Sequence, residues 1–193
     1  MRNLIIYAHP NPKSFNHAIL DTTVQSLQET GYEVMIRDLY AMKFDPVLKS
    51  SDFEALQSGK IQSEIRTEQD YIAGADVLTL IYPIWWTGLP ALLKGYIDRV
   101  FSYGFAYKTG DDGPVGLLTG KKAFIINTHG TPTEIYDSSG MTEALRKTSD
   151  TGIFNFCGIE VLGHVFFGAV ATVDDDIRHE MLNTLRKKLN TLF

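Results

Sequence analysis

Five short apolar runs alternate with amphipathic stretches, and this alternation limits the fold more than any other feature of the chain. The runs are Leu4–Tyr7, Glu33–Asp38, Val77–Tyr82, Lys122–Asn127 and Glu160–Phe167. Each is followed by a stretch that reads as a helix: Asn16–Glu29, Ile61–Ala73, Pro90–Phe101, Thr142–Phe154 and Asp174–Leu192. In the first helix, Ala18, Ile19, Thr22 and Leu27 form an apolar stripe that Gly31 ends. In the third, Leu92, Leu93, Tyr96, Ile97 and Val100 share one face. Asp174–Asp176 place negative charge at the start of the last helix, where the dipole favours it. Residues 39–60 read as irregular, with a turn at Asp45-Pro46 and a short helix near Ser51–Leu56. Strands alternating with helices predict an α/β fold with a parallel sheet covered on both faces.

A chain of 193 residues suits one domain over residues 1–193. The net charge of −5, without a long basic run, argues against a nucleic-acid partner. The only cysteine, Cys157, excludes an intrachain disulfide and suits a reducing cytoplasm. Between a helix and an apolar strand it reads as a small core residue rather than a redox thiol. The first residues lack the pattern of a signal peptide. No apolar run approaches the ~20 residues that span a bilayer, so no membrane insertion is expected. A cytoplasmic location is.

Ligands of parallel sheets bind beyond the carboxyl ends of the strands, which directs attention to the loops there. The first strand leads into Ala8-His9-Pro10-Asn11-Pro12-Lys13-Ser14-Phe15-Asn16 and a helix start, where free N–H groups and the dipole favour an anion. The loop has no glycine, so it is neither a dinucleotide fingerprint nor a P-loop. Ser14 and Asn16 can donate to phosphate or cap the helix, and His9 can add a charge-assisted bond. After the third strand comes Pro83-Ile84-Trp85-Trp86-Thr87-Gly88-Leu89-Pro90. Two adjacent tryptophans cannot both face the core, so one is expected to border a flat ligand. After the fourth comes Thr128-His129-Gly130-Thr131-Pro132, a turn whose N–H groups can meet an electron-rich ring edge. Together these loops describe an aromatic-walled slot with a phosphate anchor, which fits a flavin. Elsewhere, His17, His164 and His179 are scattered without metal-ligand spacing. Asp111-Asp112-Gly113 reads as a turn, and Gly113–Lys122 as a surface loop rather than a P-loop.

Longer strings carry a resemblance. They are Tyr7-Ala8-His9, Ser14-Phe15-Asn16, Asp38-Leu39-Tyr40-Ala41-Met42, Phe44-Asp45-Pro46, Pro83 to Ala91, Leu93-Lys94-Gly95, Asp98-Arg99-Val100-Phe101, Phe105-Ala106-Tyr107, Tyr136 and Phe156-Cys157-Gly158. In this order they resemble the flavodoxin-like NAD(P)H:quinone oxidoreductases of the DT-diaphorase type and their short bacterial relatives. The resemblance implies a three-layer flavodoxin-like sandwich with a five-stranded parallel sheet in the order 2-1-3-4-5. It implies a flavin-dependent homodimer working in two half-reactions. NADH or NADPH gives hydride to flavin N5 and leaves, and a quinone, or a nitro or azo compound, takes its place. His9, Ser14, Phe15 and Asn16 would lie toward the flavin phosphate. Pro83, Ile84, Trp85, Trp86 and Thr87 would line the ring, while Thr128, His129, Gly130 and Thr131 approach its pyrimidine edge. Tyr107 would wall the substrate slot from across the dimer, and Tyr136 would steady charge on the reduced flavin.

The chain departs from that pattern in two places. No histidine lies in Ser139–Glu143, shortly after the tyrosine, so His129 or solvent is the expected proton source. The chain also lacks the C-terminal extension of the mammalian type, which puts part of the dinucleotide pocket in doubt. The stretch Phe44–Phe53 matches a region that holds the adenine of FAD, which favours FAD with FMN close behind. Two other functions fit the same resemblance: a regulatory ancillary subunit of a potassium efflux system, and a one-electron carrier, against which the modest charge argues. The sequence leaves open the acceptor and the choice between NADH and NADPH.

Overall fold

A computed structural model describes residues 1–193. Five parallel strands form the central sheet: β1 (Arg2–Tyr7), β2 (Glu33–Asp38), β3 (Val77–Pro83), β6 (Lys122–Thr128) and β7 (Glu160–Phe167). Their order is β2-β1-β3-β6-β7, the flavodoxin-like order expected. The winding reverses between β1 and β3, so the crevice of such a sheet opens at their carboxyl ends.

Alternation along the strands divides the core between two faces. Leu4 and Ile6 of β1 point to one, with α3 (Ser63–Gly74), α4 (Ala91–Val100) and α6 (Met141–Arg146). Ile5 and Tyr7 point to the other, against α1 (Phe15–Glu29) and α7 (Asp175–Leu192). The central β3 is buried throughout, as a strand covered on both sides must be.

Residues 39–60 carry α2 (Ser50–Gln57), as expected, and are fixed to α4 by Arg99. Its side chain, only 1% exposed, reaches Asp52 at 3.0 Å, Glu64 at 2.7 Å and the Asp45 carbonyl at 2.7 Å. Gly95 permits the close approach, because a Cβ there would lie 2.2 Å from the Pro46 carbonyl oxygen.

Three segments depart from the sequence-based expectation. The run read as a surface loop is in part a strand: β5 (Gly113–Gly116) pairs antiparallel with β4 (Tyr107–Gly110), and Asp111-Asp112 form the tip. Backbone packing makes this possible, since a Cβ on Gly116 would lie 2.3 Å from Cys157. A short helix, α5 (Thr133–Ser138), follows the loop after β6. The helix expected at Thr142–Phe154 is α-helical only to Arg146 and continues as a π-helix, Lys147–Asn155. Cys157 is buried, as expected, and burial pushes its thiol up to about 11. No helix is long and apolar enough to cross a membrane.

Candidate functional site

The three loops selected from the sequence leave the carboxyl ends of β1, β3 and β6, which are neighbours in the sheet. In the first loop, Ser14 caps α1 by accepting the His17 N–H at 3.3 Å, and its own hydroxyl hydrogen stays available. The amides of Phe15 and Asn16, at the open end of the helix, donate to no protein group. His9 Nδ1 meets Asn11, whose N–H lies at 3.1 Å and carbonyl at 3.2 Å, which leaves Nε2 free, and burial lowers its pKa. Phe15 packs edge-on against Phe167. Asn16 is buried, and its Nδ2 donates to Thr128 Oγ1 at 2.7 Å, tying the first loop to β6.

The second loop is strained. Trp86 and Thr87 have φ of 50° and 57°, between the paired residues Trp85 and Gly88. This is a two-residue turn of the kind that glycine and asparagine favour. Holding two other residues in left-handed backbone costs on the order of 1–2 kcal/mol each. The amides of Trp86 and Thr87 are unpaired, and the Trp86 side chain is 100% exposed. Trp85 is half exposed beside His9, with ring centroids 6.1 Å apart. The expectation that the two tryptophans do not both enter the core thus holds for each of them. Pro83 and Ile84 stay buried, and the Ile84 N–H bonds the Thr128 carbonyl at 2.7 Å.

In the third loop His129 is buried, and neither ring nitrogen has a hydrogen-bond partner. Its ring stacks on Tyr136, and burial lowers its pKa. The amides of Gly130 and Thr131 are free, and a Cβ on Gly130 would meet open space.

The end of β7 braces this loop. The His129 N–H bonds the Phe167 carbonyl, Ala169 N–H bonds the Thr131 carbonyl, and Val170 N–H bonds the His129 carbonyl. Gly168 makes the contact possible, because a Cβ there would lie 2.5 Å from Thr133 Oγ1. The glycine after the last apolar strand was the only sequence signal for it.

Tyr107 stands apart from the three loops. Its ring contacts are Tyr103 at 5.7 Å and Phe156 at 5.2 Å.

Comparison with known proteins identifies the type of scaffold. Residues 1–189 match the family described as having the flavodoxin-like fold. The chain belongs to this family. Among its flavodoxin-like relatives is an uncharacterized NAD(P)H oxidoreductase of Haemophilus influenzae, 42% identical over 97% of this chain and 94% of that protein. The NAD(P)H dehydrogenase [quinone] 1 of Cavia porcellus is 32% identical, over 100% of this chain and 77% of its own. The structure of an NAD(P)H:quinone oxidoreductase from Methanothermobacter marburgensis superposes with a TM-score of 0.90 at 29% identity, covering 100% of this chain and 96% of that one.

Proposed function

We propose that this oxidoreductase is a flavin-dependent NAD(P)H:quinone oxidoreductase whose residues 1–193 form a single flavin-binding domain. The observation that carries the reading is the set of unpaired N–H groups along one sheet edge: Phe15 and Asn16, Trp86 and Thr87, Gly130 and Thr131. They suit a ligand with an anionic group at one end and a heteroatom-rich ring at the other. The relatives named for NAD(P)H and quinone support the same reading.

When bound, the flavin supplies the two-electron chemistry, taking hydride from NAD(P)H and passing it to a quinone that follows in the same slot. The free end of α1, with Ser14 and His9, holds the phosphate. The amides of Trp86 and Thr87 meet ring heteroatoms, and the exposed indoles of Trp85 and Trp86 exclude water from the ring. The amides of Gly130 and Thr131 steady negative charge at the pyrimidine edge. Tyr136 offers its hydroxyl proton there, and His129 beside it relays the replacement through solvent, gaining a proton at one ring nitrogen as it gives up that at the other, without a further histidine. Val47, Leu48 and Phe53 are exposed on the segment assigned to the adenine, which favours FAD, with FMN as the alternative. A homodimer completes the site by bringing Tyr107 of a second copy over the slot. The buried free cysteine suits a reducing cytoplasm.

Titration of flavin-free protein with FAD and FMN, followed by flavin fluorescence, tests the reading together with size measurement in solution. Saturable quenching at one flavin per chain and a dimeric mass are expected. A chain that binds neither flavin overturns it.

A further inference from the structure

Beneath the tryptophan loop lies a buried hydrogen-bonded chain that joins four elements. His164 on β7 has Nε2 2.6 Å from Asn127 Oδ1 on β6, and Nδ1 2.8 Å from Asp150 Oδ1 on the π-helix. Asn127 Nδ2 donates to the Tyr82 carbonyl on β3 at 3.2 Å. That bond fixes the amide, since the reversed orientation would set two acceptors face to face. Asn127 therefore presents an acceptor to His164, and Nε2 must carry a proton. A carboxylate also only accepts, so the 2.8 Å contact between Asp150 and Nδ1 requires a second proton between the two.

The surrounding groups act on that proton in both directions. Burial, with the positive charge of Arg146, lowers the His164 pKa below its ordinary value, and Asp150 opposes them. The pair as a unit is neutral only while it keeps the proton. The other charged group is Arg146 of α6, 4.0 Å from Asp150 and hydrogen-bonded to the His164 carbonyl. Phe166 stacks on the imidazole, and the Ser149 hydroxyl, with one hydrogen to give, lies 2.7 Å from Asp150 Oδ1 and 2.8 Å from the Leu145 carbonyl.

The location gives the chain a role. Pro83 has no N–H, so it cannot donate where β3 leaves the sheet. The Asn127 amide secures the preceding carbonyl instead. Both proposed ring-holding loops start here, and Ile84, Gly88 and Leu89 share one small cavity with Asn127 and His164.

We propose that His164 is a positioning residue: with Asp150 it retains a buried proton and, through Asn127, fixes the strand ends from which the two flavin-holding loops spring. The role in flavin binding rests on the function proposed above, whereas the protonation pattern does not.

NMR of protein labelled with ¹⁵N-histidine tests the pattern without flavin. A protonated Nε2, with a protected downfield proton on the Asp150 side that is lost in Asp150→Ala, is the expected result. A bare Nε2 in the wild type overturns the proposal. Flavin binding and midpoint potential then test the role. His164→Leu is expected to weaken flavin binding about tenfold and to shift the potential, with His164→Gln, which can still donate to Asn127, recovering most of both. Equal values for wild type and His164→Leu overturn the positioning role. A wild type that binds no flavin refutes the flavin reading and leaves the NMR result to decide the protonation pattern.

Discussion

The rings of His129 and Tyr136 lie stacked, with centroids 4.3 Å apart and planes 11° from parallel, at the mouth of the loop after β6. The stack leaves neither ring nitrogen of His129 bonded to the Tyr136 hydroxyl, so His129 serves the tyrosine through solvent. Replacement by alanine is expected to slow quinone reduction about tenfold or more and to alter its pH profile. Unchanged rates in both half-reactions across pH would remove His129 from the mechanism.

The same burial has a consequence for stability. In the unfolded chain His129 takes up a proton below about pH 6.5, whereas the folded ring, with its lowered pKa, stays neutral to lower pH. The unfolded state then binds more protons, so stability falls as pH drops below that value and levels off once the folded ring also charges. Thermal melts of His129→Gln should show a smaller loss between pH 7 and pH 5 than the wild type. Parallel curves would mean that the ring charges equally in both states.

Thr87 has φ of 57° without being glycine. Thr87→Gly relieves that strain and should stabilise the fold by about 1 kcal/mol, or about 2–4 °C in Tm. Looser turn geometry should weaken flavin binding at the same time. A stabilised variant with unchanged flavin affinity would show that the strain does not serve the site.

Gly168→Ala forces a Cβ to within 2.8 Å of the Thr131 carbonyl oxygen and still closer to Thr133. The 129–133 loop must shift, so flavin affinity should fall about tenfold while the far edge of the sheet keeps its hydrogen-exchange protection. Wild-type affinity in a folded variant would separate this loop from the ligand.

Arg99→Ala should cost about 3–5 kcal/mol in urea unfolding, because Asp52 and the Asp45 carbonyl lose a buried partner. Burial would raise the Asp52 pKa, but Arg99 holds it below the ordinary carboxylate value. Its contribution to stability is thus complete above about pH 4 and is lost as pH falls through the lowered folded value. In Arg99→Ala that part of the acid dependence should disappear. A variant as acid-sensitive as the wild type would assign the effect to other carboxylates.

The sheet was legible because burial on two faces makes its central strand a short, mostly apolar run, Val77–Tyr82, and because strand-like runs alternate with helices along the chain. The loops were legible for the same reason: the parallel topology puts the segments leaving β1, β3 and β6 on one edge. The β4–β5 hairpin was not, since four-residue strands with glycines and a proline carry no alternation and are held by backbone packing on Cys157. Nor did the sequence reveal His164 as more than a scattered histidine. Its partners, Asp150 and Asn127, lie 14 and 37 positions away and meet it only through the fold. Asn16 read as a phosphate donor or a helix cap, and the fold adds a buried bond to Thr128 that takes one of its two amide hydrogens.

Anaerobic stopped-flow of flavin-loaded protein, with the released flavin identified by chromatography, tests the central claim most directly. NAD(P)H is mixed first and a benzoquinone second. The account predicts rapid loss of the oxidised flavin absorbance, then rapid full recovery on quinone addition. Slow or absent bleaching by both NADH and NADPH, or a reduced protein that quinone fails to reoxidise, would contradict it.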